Sequence, residues 1–135
     1  MQTTKTKTIN TTGRRKRAIA KARLREGKGI IKINNIPLDF YNPELARLRI
    51  QEPLIIAQDT ANKVDIKVNV EGGGWSAQAD AVRLAIARSL AEFNKSLKQQ
   101  FLAYDRSLIV ADVRVAEASK PNDSKPRAKR QKSYR

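Results

Sequence analysis

The side chains of this sequence with chemistry to offer are cationic, and they are crowded. Arg14, Arg15, Lys16, Arg17, Lys21, Arg23, Arg25 and Lys28 face a single nearby acid, Glu26. Charge at that density repels itself, and phosphates relieve it, so these eight residues are assigned to nucleic-acid contact. A second basic block closes the chain: Lys120 to Arg135 reads KPNDSKPRAKRQKSYR, with seven bases against one acid. Nucleophilic and acid–base chemistry has far less to draw on. With no cysteine and no histidine, disulfides, zinc ribbons, thiol nucleophiles and the commonest general base are excluded. The carboxylates are scattered, so no catalytic residue, metal, cofactor or small-molecule substrate is expected.

One loop needs weighing against a phosphate-binding fold. Gly72-Gly73-Gly74 stands between a strand pattern and a helix pattern, the arrangement of a nucleotide-binding loop. That loop needs Gly-Lys-Ser/Thr, and here Gly74 is followed by Trp75-Ser76-Ala77-Gln78. The glycines are therefore assigned to a tight strand-to-helix turn, with close approach of RNA phosphate as their other use.

Charge is segregated along the chain. The net charge is +15, from 28 basic and 13 acidic residues. Residues 1–32 carry +10, residues 120–135 carry +6, and the stretch between them carries −1. A near-neutral body with two cationic ends calls for a polyanion. At 135 residues the chain suits one domain with a tail. The expected division is a flexible arm over 1–12, a globular domain over 13–119 and a basic tail over 120–135. That tail has too little apolar surface to offset the entropy of ordering itself. No signal-peptide core and no membrane-length apolar run is present, so a soluble cytoplasmic protein is expected.

The elements that must carry these residues follow from periodicity. From Arg17 to Arg25 the sequence alternates, with Ala18, Ala20, Ala22 and Leu24 inward and the basic residues outward, which predicts a strand. Gly27-Lys28-Gly29 predicts a turn and Ile30–Ile33 a hairpin partner, closed by Asn34-Asn35. Asn42-Pro43-Glu44 predicts a helix start, with Leu45 and Leu48 inward, Arg47 and Arg49 outward, and Pro53 interrupting. Val64, Ile66, Val68 and Val70 predict a half-buried strand, with Asp65 and Glu71 on its outer face. Ala79, Val82, Ile86, Leu90 and Phe93 predict a main core helix over 76–93, with Ser76 as N-cap and Asp80, Arg83, Arg88 and Glu92 outside. A further helix is expected near Lys95–Tyr104, and a last strand or strands at Leu108, Val110, Val113 and Val115. Together these predict an α+β fold, a two-layer sandwich with a mixed sheet and helices on one face.

The joint order of several segments resembles the small-subunit ribosomal protein nine family. They are Gly13-Arg14-Arg15-Lys16, Gly27-Lys28-Gly29, Glu52-Pro53-Leu54, Val64-Asp65-Ile66, Gly72-Gly73-Gly74 with Ala77-Gln78-Ala79, Ala85-Ile86-Ala87-Arg88, Tyr104-Asp105-Arg106-Ser107-Leu108 and Arg130-Gln131-Lys132-Ser133-Tyr134-Arg135. The match spans about Gly13 to Arg135, and its ending is similar to the archaeal and eukaryotic branch; the short connection near Asn94 favours an archaeal origin. Two departures stand out: Asp112-Val113-Arg114-Val115 where the family usually has Asp-Pro-Arg-Arg, and Asn34-Asn35 where it usually has Asn-Gly. The resemblance implies a left-handed βαβ crossover, against the usual hand. It implies a structural, non-enzymatic place in the head of the small ribosomal subunit, with rRNA, P-site tRNA and neighbouring head proteins as partners. It implies that Lys125, Arg127 and Lys129 run along rRNA and that Arg130, Lys132, Tyr134 and Arg135 approach the tRNA, on an extended tail. The alternative is a non-ribosomal nucleic-acid binder, such as a chromatin or RNA-chaperone protein; an NTP-using enzyme at the glycine loop is the third class considered.

Overall fold

A computed structural model describes residues 6–131, 133 and 134. Strands β1 (Ile9–Arg15), β2 (Ala18–Glu26), β3 (Ile31–Ile33), β4 (Ile36–Pro37) and β5 (Val64–Glu71) form one sheet in the order β1-β2-β5-β3-β4. Helices α1 (Glu44–Ile56), α2 (Gln58–Ala61), α3 (Trp75–Phe93) and α4 (Leu97–Tyr104) make the second layer. The sheet is mixed: β5 runs antiparallel to β2 and parallel to β3, and α1 and α2 bridge that parallel pair. The fold is α+β, in two layers.

α3 is the centre of the molecule. Ala77, Ala79, Ala81, Val82, Leu84, Ala85, Ile86, Ala87, Ser89 and Leu90 are all buried. A helix apolar on most of its circumference must be enclosed, and this one lies between the sheet and α1 and α4. Its alanines meet Ala18, Ala20 and Ala22 of β2, so the two layers approach closely with few aromatic side chains between them. Gly13 of β1 makes the closest approach: a Cβ there would collide with the backbone of Ala81 and Ala85. Thr11 adds a hydrogen bond from its hydroxyl to the Ala85 carbonyl, at 2.8 Å.

The Ile30–Ile33 strand is not a hairpin partner of β2. β5 inserts between them, pairing with β2 at eight consecutive positions, from Ile19–Glu71 to Glu26–Val64. The loop instead wraps the end of β5, where Asp65 Oδ1 accepts the backbone N–H groups of Lys28, Gly29 and Ile30 at 2.9, 3.1 and 2.9 Å. Those bonds, Ile30's first, hold the Asp65 carboxyl below its ordinary pKa. At the next turn Asn34 and Asn35 both have positive φ (50° and 66°). The Asn34 side-chain amide continues the pairing of β3, donating to the Val70 carbonyl and accepting its N–H.

Other expectations are corrected. Residues 9–12 belong to β1 rather than to a flexible arm, because Ile9 is buried and Thr11 is tied to α3. In α1 the inward stripe is Ala46, Ile50 and Pro53; Leu45 and Leu48 point outward, and Pro53 lies inside the helix without ending it. Gly74, not Ser76, occupies the N-cap of α3, and no side chain caps it. Among the described residues no strand follows Leu108. There the Asp112 carboxylate accepts the N–H of Arg114 at 3.0 Å, a local turn that takes up a donor a sheet would use. The tail is not uniformly extended: it turns at Pro121–Asn122, where Asn122 has φ of 66°. Glu117, just before the tail, accepts from Lys120 and Arg127, and within the tail Arg130 pairs with Asp123.

Two stability outcomes follow from the loops. Asp65→Asn weakens three charge-assisted bonds and lowers stability by about 1–2 kcal/mol at neutral pH, allowing for solvent exposure. Because the folded carboxyl titrates below its unfolded value of about 3.9, its stabilisation is complete at neutral pH. It is lost as pH falls from about 4 through the folded pKa. Denaturant unfolding at pH 7 and pH 3 checks this; an unchanged pH dependence in the variant would contradict it. Asn35→Gly relieves a left-handed conformation and raises stability by roughly 0.5 kcal/mol, read as an increase in Tm; a decrease would count against the turn geometry.

Candidate nucleic-acid interface

The helices cover one face of the sheet and leave the other open. Strand alternation sorts the basic residues between the two faces. On β2, Lys21, Arg23 and Arg25 stand on the open side, exposed, while Ala18, Ala20, Ala22 and Leu24 are buried on the other. Arg14 lies opposite Ile19 on the same open face. Antiparallel and parallel registers then align cations across three strands: Arg23 opposes Lys67, and Lys67 opposes Lys32. Like charges directly opposite one another destabilise a sheet. No carboxylate stands in that row; Asp65 and Glu71 lie toward the two ends of β5, opposite Arg25 and Ile19. Among the described residues none of these open-face cations forms an ion pair. Beside them runs an open groove of about 800 Å³, lined in part by Asn10, Thr12, Lys21, Arg23, Lys67 and Asn69.

Lys16 and Arg17 form the exposed turn between β1 and β2. They border a second cavity of about 620 Å³ with Gly73, Gly74 and Arg114. The triple glycine builds the turn into α3: Gly72 and Gly73 have φ of +78° and +66°, and a Cβ on Gly72 would strike the Arg17 carbonyl. Lys28 is exposed in the loop held by Asp65.

Arg15 does not belong with this group. It points to the helical side, within 3.2 Å of Asp112 and 3.9 Å of Asp80, and is mostly buried. Alternation explains the difference, since adjacent strand residues face opposite ways. Three other arginines act in the same internal manner. Arg49 meets Asp80 and the Ser76 hydroxyl, Arg83 donates to Glu52 (2.9 Å), Asp105 and Ser107, and Arg88 donates to the carbonyls of Ile109 and Thr12. These contacts moor the segment leading into the tail. Asp105 is kept below the ordinary carboxylate range by the Ser107 N–H and hydroxyl and by Arg83. Asp112 is likewise held well below that range, by Arg114 first and then by Arg15.

Lys125, Arg127, Lys129, Arg130 and Tyr134 are exposed in the tail, with Arg127 and Arg130 on the ion pairs described above. Lys132 and Arg135 lie outside the described residues. Sequence reasoning missed Lys32 and Lys67. The alternation of β5 put Lys67 on an outer face, but only the register brings both beside Arg23.

Comparison with known proteins identifies the family of the chain. The family model for ribosomal protein S9/S16 matches residues 13–135. A small ribosomal subunit protein uS9 of Methanothrix thermoacetophila is 47% identical over 131 residues, covering 96% of this chain and 99% of its own. The protein of that name from Methanococcus maripaludis is 44% identical over 133 residues, covering 96% and 99%. Both relatives are archaeal, and the chain belongs to the ribosomal protein S9/S16 family.

Proposed function

We propose that this protein, a structural and non-catalytic constituent of the small ribosomal subunit, binds rRNA through its open sheet face and its β1–β2 turn. The row Arg23, Lys67 and Lys32 carries the reading: three cations opposed across three strands with no carboxylate among them. Rows of that kind cost stability in the free protein and become favourable when phosphates enter and counterions leave. Arg14, Lys16, Arg17, Lys21, Arg25 and Lys28 extend the same surface. They match phosphate positions rather than read bases, which suits a protein fixed at one place in a large RNA.

The tail has the second role. Residues 120–135 serve as a separate cationic extension, with Lys125, Arg127 and Lys129 along rRNA and Arg130, Lys132, Tyr134 and Arg135 beside the P-site tRNA. Sixteen residues span at most about 50–55 Å when stretched, enough to leave the body and cross a layer of RNA. The ion pairs that fold the described part of the tail back lie at the surface, with only Asp123 half-buried, and are worth about 0–1 kcal/mol each. Phosphate can therefore displace Glu117 and Asp123 at small cost. Arginine forks and lysine charges hold any tRNA backbone alike.

Replacing Arg23, Lys32 and Lys67 together by Gln is expected to lower the slope of log affinity against log salt by about two to three for a small-subunit rRNA fragment. Tm should stay level or rise, since the repulsion goes too. An unchanged slope would remove the sheet face from the interface. Deleting Ser133–Arg135 is expected to leave folding and rRNA binding intact and to weaken P-site tRNA retention by reconstituted subunits, measured by filter binding. Normal retention would sink the tail mechanism.

A further inference from the structure

α1 carries apolar side chains on two opposite sides, and the fold covers only one. Ala46, Ile50 and Pro53 fill the core, while Leu45, Leu48 and Ile55 are 61%, 50% and 69% exposed. Their spacing, with Glu52 between the last two, places them on one stripe running about 15 Å along the helix. Phe40, in the turn before α1, is 73% exposed and adds to the apolar surface of this segment. Single exposed leucines need no explanation, but a stripe along a helix face does.

The charges around the stripe indicate what covers it. Residues 36–61 hold four acids (Asp39, Glu44, Glu52 and Asp59) and two bases, in a chain of net charge +15. Both bases are engaged, Arg47 by Glu44 and the Asp39 carbonyl, Arg49 by Asp80, Ser76 and the ring of Trp75 at 5.8 Å; Glu52 is paired with Arg83, which leaves Asp39 and Asp59 without an ion pair among the described residues. This side of the protein disfavours phosphate. A second copy of the chain is disfavoured as well, because an isologous contact would set one acidic rim against the other.

We propose that the outward face of α1 is the docking surface for a neighbouring small-subunit protein, one that presents apolar side chains rimmed by lysine or arginine. The proposal rests on membership of the subunit and not on the sheet-face or tail roles. The test uses the full chain with Leu48 replaced by a benzophenone amino acid, incorporated into small subunits that are purified by sedimentation and irradiated. The expected result is an adduct to one basic protein at a defined peptide, recurring when the probe stands at Ile55. Ile55→Glu in the Leu48-probe chain should reduce that adduct on the order of ten-fold, while rRNA retention is unchanged. An adduct to RNA, an adduct between two copies, or none in sedimenting subunits overturns the proposal while leaving the rRNA assignment standing. A probe chain that keeps its Tm but fails to sediment with the subunit overturns both.

Discussion

The close seating of α3 on the sheet is the constraint from which the rest follows. Alanines on both sides and the bare backbone at Gly13 let helix and strands meet with little side-chain volume between them. A layer this thin buries most of one face of the sheet with a single long helix and its shorter companions, leaving only the edge strand β4 exposed. Nothing is left over to cover the other face. Larger side chains fill the rest of the core, with Phe101, Leu108, Leu24, Ile33, Ile66, Ile86 and Leu90 fully buried. The open face is thus a consequence of how the core is packed, and its cations are carried on a rigid floor whose spacing is set by strand register.

That same packing divides the arginines into two populations. Arg15, Arg49, Arg83 and Arg88 reach across element boundaries and meet carboxylates, carbonyls or hydroxyls of their own chain. They join β1, α1 and α3 to the segment that leads into the tail, so the tail leaves from a moored root. Arg14, Lys21, Arg23, Lys32 and Lys67 meet no anion within the described chain. Net charge counts both populations equally, although only the second is available to a partner. Arg15 shows how small the difference is: one residue along a strand from Arg14, it is turned into the helical layer by the pleat.

Much of this architecture was legible in the sequence, and the failures have physical causes. The alternation of β2 and β5 and the helical spacing of α3 report burial directly, because each element is long enough to show its period. Short or amphiphilic stretches do not. The Ile31–Ile33 strand is three residues long, and its partner was chosen by an Asp65 carboxylate thirty-odd residues away and by the longer β2–β5 ladder. Ser76 suits an N-cap by type, yet Gly74 ends the turn there and Ser76 is used by Arg49. In α1 both stripes are apolar, so periodicity could identify a helix but not its inward side. For the interface, the basic run at 14–28 was evident, whereas Lys32 and Lys67 became part of it only through register.

α1 and the sheet face illustrate a single principle from opposite directions. In each, the isolated protein leaves something unsatisfied: repelling cations on the sheet, apolar side chains in water on the helix. A chain selected to fold alone would have placed an acid opposite Arg23 and polar residues at positions 45, 48 and 55. Both substitutions are chemically simple and neither would disturb the core, since all these side chains point away from it. Under both proposals the stability forgone on each surface is recovered on assembly, and the two surfaces differ in the partner that recovers it. In the proposed assembly phosphate answers the first and an apolar, basic-rimmed protein the second, so that charge on each side of this small body would sort RNA from protein around it.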